Sequence, residues 1–205
     1  VSTDGHRLVR YRRTDIISDN GSTIIIPRKA LNLLKATLPG ENTPVNIDFN
    51  LSNAFFKFGN IKMICRLIDE RFPDYENVIP TNNTIKMTIG RVEFLSALKR
   101  ISIYANKTTH QVRVKITGSE LQVSAEDLDF SNEANERLSC EHEGEDIEIG
   151  FNAKFLVEML TNLDTEKIRL AMSAPNKAGV ILPDDKDKNQ DILMLVMPVM
   201  LKQYV

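Results

Sequence analysis

The chain has 205 residues, 42% of them hydrophobic, and a formal net charge of −2 at pH 7. That length and apolar content supply one large core or two modest ones, while 9 glycines and 8 prolines are too few for a disordered or low-complexity chain. Nothing in the sequence argues for export or a membrane span, since no charged-then-apolar signal and no run approaching ~20 apolar residues is present.

In chain order, an Asp4-Gly5 turn leads into a strand over 7–13, and a second turn at Asn20-Gly21 leads into Ile24-Ile25-Ile26. Pro27 stands where a first helical residue belongs, and the helix ends near Leu38, before Pro39-Gly40. The stretches 45–51, 54–58 and 62–67 alternate apolar and polar residues, the pattern of half-buried antiparallel strands. Pro73, Pro80 and the polar run Thr81-Asn82-Asn83-Thr84 then break the pattern and mark a domain boundary across 69–84. Beyond it come a strand at 86–89, a helix over 91–104, strands at 112–117, 120–125 and 131–139, and a strand at 146–150. A third helix and strands at 168–173, 178–182 and 192–197 complete the chain. Two helices and about eight strands predict an α+β domain with the helices on one face of an antiparallel sheet.

One helix is written three times, at spacings of 63 and then 62 residues: it begins at Ile26, Ile89 and Phe151. Leu31, Phe94 and Leu156 match, as do Leu34, Ala97 and Met159, and Leu38, Ile101 and Leu163; each set follows the three- and four-residue steps of one helical face. The chain is therefore a repeating unit of one helix plus strands, ~60 residues long. Val1-Ser2-Thr3-Asp4-Gly5 resembles Val123-Ser124-Ala125-Glu126-Asp127, the end of a hairpin, so residue 1 is expected to enter in mid-unit, as in the C-terminal part of a longer protein.

The first two helices are basic, with Arg28, Lys29 and Lys35 on one and Arg91, Lys99, Arg100 and Lys107 against Glu93 on the other, whereas the third carries Lys154 against Glu158 and Asp164. Acid gathers in 133–148 and 184–187. Such faces fit either a solvated helix surface or a lining for DNA. Cys65 and Cys140 lie far apart in strand-like contexts and read as reduced thiols. The apolar run from Leu193 to Leu201 contains Pro198, which cannot donate to a ladder, so the chain should leave its sheet there.

Thr3-Asp4-Gly5-His6-Arg7-Leu8, Ile26-Pro27-Arg28-Lys29, Arg71-Phe72-Pro73-Asp74-Tyr75 and Val196-Met197-Pro198, in this order over the whole chain, resemble the bacterial DNA sliding clamp, the β subunit and processivity factor of the replicative DNA polymerase III. The resemblance implies the DNA-clamp fold, with residues 1–80 as the C-terminal part of the middle clamp domain and 83–205 as the third. It implies a head-to-tail homodimeric ring in the bacterial cytoplasm, sliding on duplex DNA without sequence preference. Polymerase, clamp loader and repair proteins would be tethered through short peptides, with no cofactor, metal or membrane involved.

The positions matching the family's peptide pocket are Thr3, Gly5, His6, Arg7 and Leu8, Pro73 and Val78, and Leu195, Met197, Pro198, Val199 and Leu201. Arg28, Lys29, Lys35, Arg91, Lys99 and Arg100 would face DNA, and Ile103 with Tyr104 would form the ring contact, leaving this chain alone monomeric or weakly associated. Asn77 stands where the family usually has a basic residue and Val199 where a second methionine is frequent, and Lys202-Gln203-Tyr204-Val205 extends the tail over the groove or frays.

Catalysis finds little support. Ser2, Thr3, Asp4 and His6 are sequence neighbours that point in different directions, with no nucleophile elbow, and His110 and His142 lack metal-ligand spacing. A non-catalytic peptide-binding scaffold with no DNA role is the alternative.

Overall fold

The computed structural model describes residues 1–40, 43–185 and 189–201. Its elements are β1 (Ser2–Thr3), β2 (Arg7–Arg13), α1 (Arg28–Thr37), β3 (Asn46–Phe49), β4 (Asn53–Phe58), β5 (Ile61–Arg66), β6 (Ile85–Gly90), α2 (Arg91–Ile101) and β7 (Gln111–Thr117). Then come β8 (Glu120–Asp127), β9 (Asn132–Ser139), β10 (Glu141–Glu143), β11 (Ile147–Asn152), α3 (Ala153–Thr161), β12 (Lys167–Met172), β13 (Gly179–Pro183) and β14 (Gln190–Val196). Short 3₁₀ turns occur at Glu76–Val78 and Ser102–Tyr104. The chain forms two compact units, Val1–Ile17 with Glu76–Val205, and Ser18–Tyr75.

In the larger unit the helix-plus-strands repeat explains the topology. The strand before α2, β6, pairs antiparallel with β12, the strand after α3, while the strand before α3, β11, pairs with β7, the strand after α2. Each repeat thus lends a strand to the other's sheet. The exchange yields a seven-stranded sheet, β1-β2-β14-β13-β12-β6-β10, and a four-stranded one, β11-β7-β8-β9. This corrects the expectation of helices on one face of a single sheet: a helix that shares its strands with a neighbour needs two.

Both sheets and both helices of this unit feed one core. Met87 and Ile89 of β6, Phe94, Ala97 and Leu98 of α2, Val112 and Val114 of β7, Phe151 of β11, Leu156 and Leu160 of α3 and Leu170 of β12 are all buried in it. Alternation decides the faces: on β8, Leu121, Val123 and Ala125 point inward and Gln122, Ser124 and Glu126 away. α3 starts where the Asn152 side chain accepts a hydrogen bond from the Lys154 amide at 3.0 Å, a cap that the sequence supplies at neither Pro27 nor Gly90.

β2 joins this unit because it pairs along its whole length with β14, from Arg7 opposite Val196 to Arg13 opposite Gln190. By its pairing, the segment 1–17 therefore belongs with the later part of the chain, although the repeat groups it with residues 18–75. The smaller unit packs α1 over the sheet β3-β4-β5. Ala54, Phe56 and Phe58 form its buried cluster, flanked by Ile26, Leu34, Leu38 and Met63, and Ala30 of α1 is buried as well. Cys65 lies in this unit and Cys140 in the other, both as free thiols.

Candidate functional site

The Thr3–Arg7 turn is fixed by its own side chains. Gly5 takes φ +85°, which a residue with a Cβ adopts only under strain. The Asp4 carboxylate accepts from the amides of His6 and Arg7 at 3.0 Å each and from Arg7 Nε at 2.9 Å. The Thr3 hydroxyl donates to the Arg7 carbonyl at 2.8 Å and accepts from the Gly5 amide at 3.2 Å. Partial burial disfavours the charge on Asp4, but the Arg7 guanidinium and the two amides outweigh it and hold the carboxyl below the usual aspartate range.

Arg7 reaches from this turn to α3. Its Nη1 donates to Glu158 at 2.6 Å, and its guanidinium lies 4.6 Å from the centroid of the Phe155 ring. Burial works against the guanidinium's charge, but Glu158 and then Asp4 more than offset it and raise its pKa. The His6 ring stacks on Phe155 with centroids 6.2 Å apart. Phe155, Glu158 and Gly150 are site residues that sequence reasoning misses. The available signal is the repeat: Phe155 occupies the position of Ala30 and Glu93, an aromatic where neither other copy has one.

The chain after β14 closes onto the same turn. The Met197 amide donates to the His6 carbonyl at 2.8 Å and the Val199 amide to the Gly150 carbonyl at 2.8 Å. One residue, Pro198, which has no N–H to donate, thus separates a bond to the Thr3–Arg7 turn from a bond to β11, the edge strand of the four-stranded sheet. Met197 and Met200 are exposed, while Pro198, Val199 and Leu201 are half-buried. Leu8, opposite Leu195, and Leu195, opposite Val180, make a row across three strands. All three are under 5% exposed.

Thr3, Gly5, His6, Arg7, Leu8, Leu195 and Met197 are therefore brought together as expected. Leu8 and Leu195 are both buried, facing each other across the β2–β14 ladder. Val78 is exposed on its 3₁₀ turn, whose Glu76 accepts from Arg12 at 3.0 Å. Pro73 lies in the smaller unit. The expectation for 202–205 falls outside the described residues, as does part of the acidic 184–187.

Of the six basic residues, Arg28, Lys29, Lys35 and Lys99 are exposed. Arg91 is engaged within the protein: its Nε donates to the Thr165 carbonyl, in the loop after α3, at 2.7 Å and its Nη1 to the Leu160 carbonyl, in the last turn of α3, at 3.2 Å. Arg100 is exposed but paired with Glu136. Ile103 and Tyr104 are 66% and 43% exposed and lie next to β9, the last strand of its sheet. A polar cavity of about 470 Å³, lined by Arg113, Ser124, Glu126 and Asp129 among others, shares no residue with these sets. Among the described residues no group of three or more His, Cys, Asp or Glu could hold a metal ion, and no helix is long and apolar enough to cross a membrane.

Helix-plus-strands repeats that exchange strands between antiparallel sheets make this a DNA-clamp fold. A solved sliding clamp from Pseudomonas aeruginosa, bound to griselimycin, is similar at a TM-score of 0.89 and 29% identity over 98% of this chain and 53% of that one. A second, from Bartonella birtlesii, also bound to griselimycin, reaches a TM-score of 0.87 at 29% identity. The family model for the central domain of the DNA polymerase III beta subunit matches residues 1–74, and that for its C-terminal domain matches residues 76–200. The chain belongs to the DNA polymerase III beta subunit family. The beta sliding clamp of Vibrio cholerae is 30% identical over 201 residues, 98% of this chain and 54% of that protein. The chain thus spans about half the length of the curated relatives it matches.

Proposed function

We propose that this chain serves as part of a DNA-replication processivity factor without catalysis of its own, working in the bacterial cytoplasm. In a head-to-tail ring it would encircle duplex DNA, slide on it, and tether polymerase, clamp loader and repair partners through short peptides. Residues 1–80 and 83–205 would be the end of the middle clamp domain and the third domain.

The observation that carries this reading is the Met197–His6 hydrogen bond. It joins the turn of the central-domain match to the tail of the C-terminal-domain match, over a floor of Leu8 and Leu195. Exposed Met197, beside Pro198 and Val199, supplies an adaptable apolar wall for varied peptides, with Thr3, Gly5, His6 and Arg7 at one end and Val78 and Leu201 completing the set within the larger unit. The ring contact would use Ile103, Tyr104 and the unpaired edge of β9. Arg28, Lys29, Lys35 and Lys99 would supply sequence-independent phosphate attraction. This chain alone is expected to sediment as a monomer or a weakly associated species.

Calorimetric titration with a short peptide carrying glutamine followed by leucine and phenylalanine tests the pocket, with a parallel sample lacking Met200–Val205. Binding should weaken with the tail removed, and Met197→Ala should cost about 1–3 kcal/mol. Unchanged affinity in both samples would remove the tail from the site.

One observation favours a peptide-binding scaffold without a DNA role: Arg91 and Arg100 are engaged within the protein. Duplex binding that weakens as salt rises supports the clamp reading, and no binding, or binding indifferent to salt, counts against the basic helix faces.

A further inference from the structure

We infer that Gly150 is a positioning residue for the partner-peptide site: its missing side chain lets the C-terminal strap cross from one sheet to the other and so fixes the wall formed by Met197, Pro198 and Val199. The inference rests on the peptide-site reading proposed above and adds what holds that site in shape.

Gly150 lies within β11, opposite Arg113 of β7, with Ile149 and Phe151 fully buried on either side. Alternation therefore aims its Cα–H away from the core, and this is where the strap passes. A Cβ built on Gly150 would overlap the Val199 carbonyl oxygen and lie 2.9 Å from Leu201 Cδ2. The first obstacle is backbone, which cannot rotate out of the way as a side chain can. The φ of Gly150 is not in the left-handed region, so the requirement is one of space alone.

The contact is also directional. Gly150 and Val199 form an antiparallel bridge, with the Val199 amide on the Gly150 carbonyl. Upstream, β14 is held by β13 and β2 on its two sides, and Met197 by His6. Downstream of Pro198, the strap is tied to the sheet through the bond from Val199 to Gly150. Any side chain at 150 must therefore displace the strap beyond Pro198 while leaving β14 and the floor of Leu8 and Leu195 seated. The wall then swings away from a groove whose other walls are intact.

The test uses four versions of the full chain: unaltered, Gly150→Ala, a chain ending at Pro198, and that shortened chain with Gly150→Ala. Hydrogen exchange of the Val199 amide reads the strap directly, and calorimetry with the glutamine–leucine–phenylalanine peptide reads the site. Gly150→Ala should speed Val199 exchange to that of an open amide and weaken the peptide about tenfold. The shortened chain should match that weakened affinity, and adding Gly150→Ala to it should change affinity and melting temperature no further, because the obstacle is gone. A substitution that weakens binding or melting equally in both backgrounds acts through β11 itself and overturns the inference. So does a released Val199 with unaltered peptide affinity. An unaltered chain that shows a protected Val199 amide but no peptide binding overturns the peptide-site reading while leaving the strap's dependence on Gly150 standing.

Discussion

The same helix has two fates in this molecule. In the larger unit, α2 and α3 face each other within one core, and Phe94 and Leu156, the matching positions, are both 0% exposed. In the smaller unit the equivalent Leu31 is 45% exposed, and Ala30 is the buried residue of α1. The strands differ in the same way. β6 and β11, which precede the paired helices, each find a ladder in the other repeat, whereas Ile24, Ile25 and Ile26, at the equivalent place before α1, form no strand and receive one bond, from the Ile68 amide to the Ile25 carbonyl at 3.0 Å. A repeat of this kind is thus half of a closed structure: its pattern makes the helix, but only a second copy gives the helix face and the preceding strand their partners.

The contrast can be attacked at equivalent positions. The largest effect should come from Phe94→Ala, which opens a cavity among α2, α3 and two sheets and should cost about 3–5 kcal/mol in a denaturant melt, against less than about 0.5 kcal/mol for Leu31→Ala. Equal losses would mean that the two faces are equally packed. Next, Arg91→Ala removes two charged hydrogen bonds, one to the last turn of α3 and one to the loop after it, and should cost about 1.5–3 kcal/mol, whereas Arg28→Ala, at the matching place on α1, should stay within about 0.5 kcal/mol. If the DNA reading holds, Arg28→Ala alone should flatten the salt dependence of duplex binding.

The smallest effect is one of pH. The described carboxylates held below their ordinary range, Asp4, Asp15, Glu136 and Glu141, all belong to the larger unit. For Asp4 burial opposes the shift and Arg7 overcomes it; for Asp15, Glu136 and Glu141 the leading cause is a hydrogen bond from Arg13, Arg100 or Lys167. A depressed carboxyl adds stability above its unfolded pKa and loses it as pH falls through the folded one. The larger unit should therefore melt earlier as pH drops from about 4.5 toward 3, by a few degrees at most because these groups are largely solvated. Calorimetric scans across that window check this, and a larger unit that melts no earlier at about pH 3 than at about pH 4.5 would overturn the assignment.

Much of this is legible in residue patterns because both periods are local. The 3.6-residue spacing of Phe94, Ala97, Leu98 and Ile101 and the alternation along 120–127 hold whatever they pack against. Pairing between distant segments is not legible in that way. Nothing in the sequence around Arg7–Arg13 says that its ladder partner is β14, and nothing near Arg91 announces that its fork points at Leu160 and Thr165 rather than outward. At the site, motif order reveals Thr3 to Leu8 and Met197, whereas Gly150 and Phe155 stay hidden. A glycine in a strand names no neighbour, and an aromatic on a helix reads first as core.

The full-length ladder between β2 and β14 also has a consequence in time. Leu8 emerges from a ribosome long before Leu195, its cross-strand partner; at ordinary synthesis rates the interval is on the order of 10–40 s. During it the turn that ends in Arg7 already exists, but its strand has no one to pair with, and the intervening helices and sheets can mature without it. The β2–β14 ladder is then the last pairing of the larger unit to form. If the peptide-site reading holds, that site stays incomplete in a nascent chain until β14 has paired with β2.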